Sequence, residues 1–153
     1  MPMRKWRPQY LDATIDTFRR AVHELAAGDY TAEELEAWAP RETDRGAWKQ
    51  RMDNSRGWIF EINGKLGGFI TTDAPGHIDL LYVHPDYRRM GVAAALLEVL
   101  AADAGARGIT ALRTEASRTA KPFFEQAGFS VLRAERVERG GVALERFVME
   151  RAG

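Results

Sequence analysis

The sequence predicts an α/β (or α+β) fold: a mixed, mostly antiparallel sheet of about six to seven strands with helices on both faces. Two observations carry this prediction. Hydrophobic residues recur at steps of three and four in the first third of the chain, as on one face of a helix, but alternate after residue 57, as in strands. A strand–helix–strand unit then lies between two hairpins, which combines parallel with antiparallel pairing. The 153 residues are expected to form a single domain, 1–153.

The first third of the chain predicts an edge strand followed by helices. Met3–Arg7 is short enough for an edge strand, and the helical stripe that follows it ends at Gly28. Thr31 and Glu34 have the spacing of a capping box, which predicts the start of a second, short helix. Asp44–Met52 predicts a third helix. The residues of the helical stripe are Leu11, Ile15, Phe18, Val22 and Leu25.

The rest of the chain alternates strands with two helices. Asn63-Gly64 is a strong signal for a tight hairpin between two of the strands. Gly128 fits the C-terminal cap of the last helix. Gly140-Gly141 marks the turn of the final hairpin. The predicted strands are 58–62, Lys65–Thr72, Gly76–Val83, Ile109–Glu115, Phe129–Val137 and Val142–Met149, and the predicted helices are Arg88–Arg107 and Ser117–Ala127.

The amino-acid composition narrows the class of protein. Because the chain has no cysteine, a disulfide scaffold, a zinc–thiolate site and a cysteine nucleophile are excluded. The 22 basic residues balance 22 acidic ones, so no nucleic-acid partner is expected. The opening stretch MPMRKWRPQYLD is charged and interrupted by proline, and no segment approaches the roughly 20 apolar residues that span a bilayer. We therefore expect a cytoplasmic protein with no membrane partner and no metal.

One segment, HPDYRRMGVAAALLEVLAADAG (His84–Gly105), has the features of an anion site. A Pro-Asp turn leads into two arginines, a glycine and a long apolar helix. The first N–H groups of a helix have no internal partner, and the helix dipole adds positive potential there, so a phosphate is stabilised. Gly91 lets the backbone approach a bulky anion, while Arg88 and Arg89 add charge. The alternative is an ordinary helix start with solvated arginines, and the pattern matches neither GxxxxGK[ST] nor GxGxxG.

Two motifs resemble a known family. IDLLYVHPDYRR followed by MGVAAALLEVL is similar to the acetyl-CoA-binding motif of the GCN5-related N-acetyltransferases, the GNAT family: a strand ending in L-x-V, a turn, then [QR]-x-x-G-x-[GA] opening a helix. Ser117–Phe129, SRTAKPFFEQAGF, resembles the family's N-x-x-A-x-x-x-Y-E-x-x-G-F segment. The segments AV…Y…AWAP and TAKPFFE also resemble the small, stand-alone, YafP-like bacterial subgroup.

The resemblance implies a GNAT fold with a splay between its two central parallel strands. It implies acetyl-CoA as cosubstrate, with the pantetheine arm along one strand and the pyrophosphate on the helix-start amides. The thioester would lie in the splay. The residues that the resemblance assigns to cofactor binding are Leu81, Tyr82, Val83, Arg88, Arg89, Met90, Gly91, Val92, Ala93, Ala94, Ser117, Lys121 and Phe124.

Acetyl transfer needs a neutral amine, stabilisation of the carbonyl oxygen and a departing thiolate. Asp79 is the best candidate base, on the strand face of His77; the alternative is an edge carboxylate paired with an arginine. His77 has a suitable ordinary pKa or else ends a turn. Ser117 holds a cofactor amide, protonates the thiolate or caps a helix. Phe124 replaces the family's usual tyrosine and has no proton to give. Strand alternation predicts that the Tyr82 side chain lies on the opposite face of the strand from Asp79.

Further candidates remain open. Glu61 and Glu115 are carboxylates on strands, His84 fits a turn, and His23 lies on the N-terminal helix, where it could face an acceptor. Three aromatic residues in the N-terminal helices are expected mostly in the core, with one lining the acceptor cleft. They are Tyr30, Trp38 and Trp48.

The predicted function is direct, acetyl-CoA-dependent N-acetylation of a primary amine, most simply on a small molecule, since the chain carries no partner-binding extension. The alternatives are a non-catalytic acyl-CoA-binding regulatory module, which Phe124 favours, and a protein N-acetyltransferase. The last hairpin offers an edge strand through which two subunits could form a homodimer.

Overall fold

The computed structural model describes residues 2–152 and contains a seven-stranded mixed sheet. Its spatial order is β1-β2-β3-β4-β5-β7-β6, and only the β4–β5 pair is parallel. The predicted fold class is thereby confirmed. The strands are β1 (Met3–Lys5), β2 (Arg56–Ile62), β3 (Lys65–Ala74), β4 (His77–Val83), β5 (Ala111–Ala116), β6 (Ser130–Arg139) and β7 (Val142–Ala152).

Five α-helices are described. The predicted capping box is present at the second: Thr31 Oγ1 accepts from the Glu34 amide at 3.1 Å, and Glu34 Oε1 accepts from the Thr31 amide at 2.9 Å. Within residues 2–152, no helix combines the length and the hydropathy that crossing a membrane requires. The helices are α1 (Leu11–Arg20), which continues into a π-helical turn (Ala21–Leu25), α2 (Ala32–Trp38), α3 (Arg45–Asp53), α4 (Val92–Ala106) and α5 (Lys121–Gln126).

The helices cover both faces of the sheet, as predicted. α1, α2 and α3 pack on one face, which we call the acceptor face, with Leu11, Val22, Ile59 and Phe69 in its core. α4 and α5 pack on the other face. Its core includes Ile78, Leu96, Leu97, Leu100, Leu112 and Phe124.

Both helices of the two motifs begin later than predicted. α4 begins at Val92 and not at Arg88, because Arg89 (φ 61°) and Gly91 (φ 76°) adopt left-handed backbone conformations that a right-handed helix cannot include. α5 begins at Lys121 and not at Ser117. The Ser117 side chain instead accepts a hydrogen bond from the Ala120 amide at 3.1 Å, which forms a turn ahead of the helix.

The two central parallel strands separate to form a fork. β4 and β5 pair only at His77–Arg113 and Ile78–Thr114. Beyond Ile78, β4 stays paired with β3 as far as Val83, but its other edge no longer meets β5. The splay implied by the family resemblance is therefore present, and it leaves an unpaired backbone edge along the second half of β4.

β4 contains one extra residue, Asp79. Thr71 of β3 pairs with Leu80 and Thr72 with Ile78, so Asp79 has no partner of its own and forms a bulge. The alternation therefore changes at this point: Leu80 packs in the core of the acceptor face, although Ile78, two residues earlier, packs on the other. Tyr82 follows Leu80 onto the acceptor face, where Asp79 also lies. The prediction that Tyr82 lies opposite Asp79 was wrong because a bulge shifts the period by one residue.

Candidate active site

A cleft of about 240 Å³ opens where β4 and β5 diverge. Asp79 and Leu81 line it from β4, and Glu115 lines it from β5. Aromatic side chains of the N-terminal helices form one wall, and the β6–β7 hairpin forms the other with both apolar residues (Val137 and Leu144) and charged ones (Arg139, Glu145 and Arg146). The cleft therefore combines a strand edge that can pair with an extended ligand and a pocket on the acceptor face.

The loop before α4 leaves backbone N–H groups unpaired at the start of the helix. Within residues 2–152, the backbone N–H groups of residues 89–94 donate to no acceptor, and the first helical bond runs from the Ala95 amide to the Gly91 carbonyl, at 3.0 Å. Arg88 and Arg89 are exposed, and nothing lies within 4 Å of the position that a Gly91 Cβ would occupy. Open space, unpaired donors and positive charge coincide here, as a diphosphate requires.

The side chains of the second motif, Ser117–Phe129, contribute more to packing than to polar contacts. Phe124 is 3% exposed, and its ring lies 5.1 Å from that of Phe129. Ser117 lines the cleft, and its hydroxyl accepts from the Ala120 amide in the turn ahead of α5. The N-cap position of α5 is Ala120, so Ser117 does not have the capping role that was the alternative for it. The Lys121 ammonium lies 5.1 Å from the centre of the Phe147 ring, beside the cleft and not in it.

Asp79 forms an ion pair with Arg51 that occupies both oxygens of its carboxylate. Arg51 of α3 donates to Oδ2 at 2.9 Å and to Oδ1 at 2.8 Å. The hydrogen bonds to Asp79 raise the pKa of the Arg51 guanidinium. The arginine-paired alternative for Asp79 is therefore what the structure contains, and both oxygens of this carboxylate already accept hydrogen bonds.

His77 lies between two carboxylates and therefore favours the protonated state. Its Nδ1 bonds Oδ1 of Asp73, and its Nε2 bonds Oε1 of Glu115 at 2.8 Å. Burial lowers the pKa of the His77 ring, but the two carboxylates outweigh burial and raise this pKa above its ordinary 6.5. Both ring nitrogens are occupied by carboxylates, so the geometry favours a role for His77 in positioning its neighbours.

Tyr82 lies in an aromatic cluster at the inner wall of the cleft. Its ring meets that of Phe18 edge-on, with centroids 4.9 Å apart, and its hydroxyl accepts a hydrogen bond from Trp38 Nε1 at 3.2 Å. Within the described part of the chain, the hydroxyl donates to no acceptor, so its proton is available to a ligand. Burial of the phenol raises the pKa of Tyr82 to about 12, although the Trp38 hydrogen bond acts in the opposite direction.

The raised pKa of Tyr82 predicts that the folded protein loses stability at alkaline pH. The Tyr82→Phe variant is expected not to show this loss. A group whose pKa is raised by folding stabilises the protein below its unfolded pKa, and that stability is lost as pH rises through the folded pKa. Between pH 10 and about 12, we expect the wild type to lose about 2 kcal/mol of unfolding free energy relative to the variant. Urea titrations at both pH values measure this difference. Tyr10→Phe is the control, and parallel curves for wild type and Tyr82→Phe would contradict the prediction.

The other predicted candidates lie outside the cleft. His84 accepts from the Asp86 amide in the predicted turn, His23 Nε2 bonds the Ala39 carbonyl at 2.7 Å, and Glu61 pairs with Arg4 at 3.3 Å. Of the three N-terminal aromatic residues, Tyr30 and Trp38 line the cleft, whereas Trp48 packs on Phe18.

Sequence reasoning missed Arg51. Nothing in the sequence connects this arginine to Asp79, 28 positions away, because α3 and β4 meet only through the tertiary fold. A weak helical pattern with a solvent-facing arginine carries no signal of a partner on a distant strand.

Comparisons with known proteins agree with this geometry. The Acetyltransferase (GNAT) domain model matches residues 26–150. The chain is 36% identical over 147 residues to the uncharacterized N-acetyltransferase YafP of Escherichia coli (strain K12), covering 96% of this chain and 93% of that protein. A GCN5-related N-acetyltransferase structure from Rhodopseudomonas palustris matches with a TM-score of 0.95 and 32% identity, over 99% of this chain and 94% of the other. PaiA N-acetyltransferase from Thermoplasma acidophilum, solved in complex with coenzyme A, shares the fold at a TM-score of 0.77 and 20% identity over 100% of both chains.

These matches define an acyltransferase domain. The chain belongs to the GNAT family, and the predicted similarity to YafP-like members is confirmed.

Proposed function

We propose that the protein transfers the acetyl group of acetyl-CoA directly to a primary amine of a small molecule. The observation that carries the proposal is the fork between β4 and β5, with unpaired amide donors at residues 89–94 near its mouth. A carrier with a diphosphate and an extended amide arm fits these two features at once.

Each part of the cofactor has complementary groups. The pantetheine arm pairs with the backbone edge of Leu81, Tyr82 and Val83, as an added strand would. The pyrophosphate accepts from the amides between Arg88 and Ala94, and the two arginines neutralise its charge. Ser117 and Phe124 contact the arm near the thioester, and Lys121 stays a predicted contact.

The reaction forms the C–N bond between the amine and the acetyl carbon and breaks the C–S bond. Unpaired N–H groups along the edge of β4 stabilise the carbonyl oxygen as charge develops on it. Phe124 cannot protonate the departing sulfur. A thiol has a pKa of about 8.5, so the thiolate is stable enough to leave with the electron pair and take a proton from solvent.

The walls of the cleft support a small acceptor. Tyr30 and Trp38 enclose it from the helices, with their rings 5.3 Å apart, and Val137 and Leu144 enclose it from the hairpin. A cleft of about 240 Å³ suits a compact amine better than a polypeptide segment.

Two measurements test the proposal. Calorimetry with acetyl-CoA is expected to show one site per chain, and release of free CoA thiol is expected with some members of a panel of small amines. Binding without release across that panel, and across peptides with free N-termini, would instead identify a regulatory acyl-CoA-binding module. Absence of binding would contradict both functions.

The proposal includes a homodimer formed through the last hairpin and a cytoplasmic location. β6 is an edge strand of the sheet, and Val131 and Leu132 on it are 38% and 56% exposed. An exposed apolar edge supports pairing with a second copy. Light scattering during size-exclusion chromatography measures the mass: the dimer is expected for the wild type and the monomer for Leu132→Lys.

A further inference from the structure

Two carboxylates flank the point where the fork opens. His77–Arg113 and Ile78–Thr114 are the last paired positions of β4 and β5, so Asp79 and Glu115 are the first residues beyond the pairing. Both line the cleft. Either could face an amine that attacks a thioester held in the fork.

Their oxygens differ in availability. Arg51 occupies both oxygens of Asp79, and an arginine keeps its charge at every pH at which the enzyme could work. Glu115 bonds His77 through Oε1 alone, and its Oε2 forms no hydrogen bond or ion pair within residues 2–152. The Glu115 side chain is 24% exposed, and Glu115 lines the cleft.

The ring of His77 fixes the direction of Glu115. Asp73 of β3 holds Nδ1 of this ring while Nε2 holds Glu115, so the imidazole has little freedom to rotate. The charged groups that face the ring are these two carboxylates, and Arg51 from α3 lies close enough to act on Asp73 and Asp79. The side chains of His77 and Asp73 are 15% and 43% exposed, which places Asp73 on the solvent side of the chain of contacts.

We propose that Glu115 is the proton acceptor of the acetyl transfer and that His77, anchored by Asp73, positions it. This inference rests on the proposed function. The amine nitrogen forms a bond to the acetyl carbon, and the N–H proton passes to Oε2 of Glu115. The C–S bond then breaks with its electron pair on sulfur, so the products are the amide, the CoA thiolate and a proton that leaves through Glu115. Asp79 and Arg51 act as a fixed ion pair in the wall of the cleft.

The test compares three variants, Glu115→Gln, Asp79→Asn and His77→Asn. For each, kcat/KM is measured across pH with the amine that drives CoA release, and it is calculated from the concentration of the neutral amine. Glu150→Gln, an exposed residue of β7, is the matched control. We expect Glu115→Gln to lower kcat/KM about 100-fold or more and to abolish the acidic limb of the profile, with CoA affinity unchanged. Asp79→Asn is expected to keep that limb.

His77→Asn gives an independent readout. Because it removes the Nε2 contact that directs Oε1 of Glu115, His77→Asn is expected to lower kcat about tenfold with KM for acetyl-CoA unchanged, and His77→Gln, which keeps an N–H donor, is expected to recover part of the loss. The proposal is overturned if Glu115→Gln keeps activity within about threefold of wild type, if Asp79→Asn removes the limb, or if His77→Asn leaves kcat unchanged. Failure of the proposed function has a different signature, since no amine would then release CoA from the wild type.

Discussion

Replacing Gly91 by valine is expected to weaken acetyl-CoA binding about tenfold or more. The glycine precedes the first residue of α4, and its φ of 76° belongs to the left-handed region. Its surroundings are open, so the valine clashes with nothing in the protein itself. The new side chain instead occupies space that a diphosphate needs in order to reach the amides of residues 89–94, and calorimetry measures the loss.

The control separates this effect from backbone strain. Gly108 has a φ of 75° and equally open surroundings, but it follows the other end of α4. Gly108→Val and Gly91→Val should each cost about 1–2 kcal/mol of stability, because both force a side chain into a left-handed conformation. Equal acetyl-CoA affinities for the two variants would show that the loop before α4 does not hold the diphosphate.

Gly76→Ala is expected to destabilise the protein by about 3 kcal/mol or more, the largest effect on folding predicted here. An added Cβ at Gly76 would lie 2.4 Å from the Ala111 carbonyl oxygen, at the start of β5, and φ is 77°. The Gly76 carbonyl also accepts from the Arg113 amide at 2.8 Å. The substitution therefore acts on the base of the fork, where β4 and β5 are joined.

Urea unfolding measures this loss, with Gly108→Ala as the comparison. Gly108 has nearly the same φ but no neighbour within 4 Å, so its alanine variant should lose only the cost of the backbone conformation, about 1 kcal/mol. If the two alanine variants were equally stable, the contact between the new Cβ and Ala111 would not affect the free energy of unfolding. The backbone at the base of the fork would then move aside more easily than the geometry indicates.

Local signals in the sequence predicted most of the fold. The capping box at Thr31 and Glu34 and the Asn63-Gly64 turn are decided by a few neighbouring residues, and both are present as predicted. The mixed sheet with one parallel pair was predicted from the strand–helix–strand unit and its flanking hairpins, whereas the position of β7 between β5 and β6 was not predicted. Features of this kind depend on backbone geometry within one or two turns of chain, so a single sequence is enough to predict them.

The details of the candidate site depend on non-local contacts. Because Arg89 has a left-handed conformation, α4 begins later in the chain than predicted, and arginine has no intrinsic preference for that conformation. The bulge at Asp79 has no signature in the sequence, and it put Tyr82 on the face that strict alternation excludes. The partners of Asp79 and His77 come from α3, β3 and β5, and no spacing rule joins residues so far apart.

The extra residue at Asp79 also affects how relatives of this protein should be aligned. A gap-free superposition of β4 on a regular strand would exchange inward and outward positions for every residue after Ile78. Substitutions at Leu80 or Tyr82 would then be assigned to the wrong layer of the molecule. A relative whose β4 is a regular strand therefore needs a one-residue gap at this point in the alignment, whereas a relative that shares the bulge aligns without one.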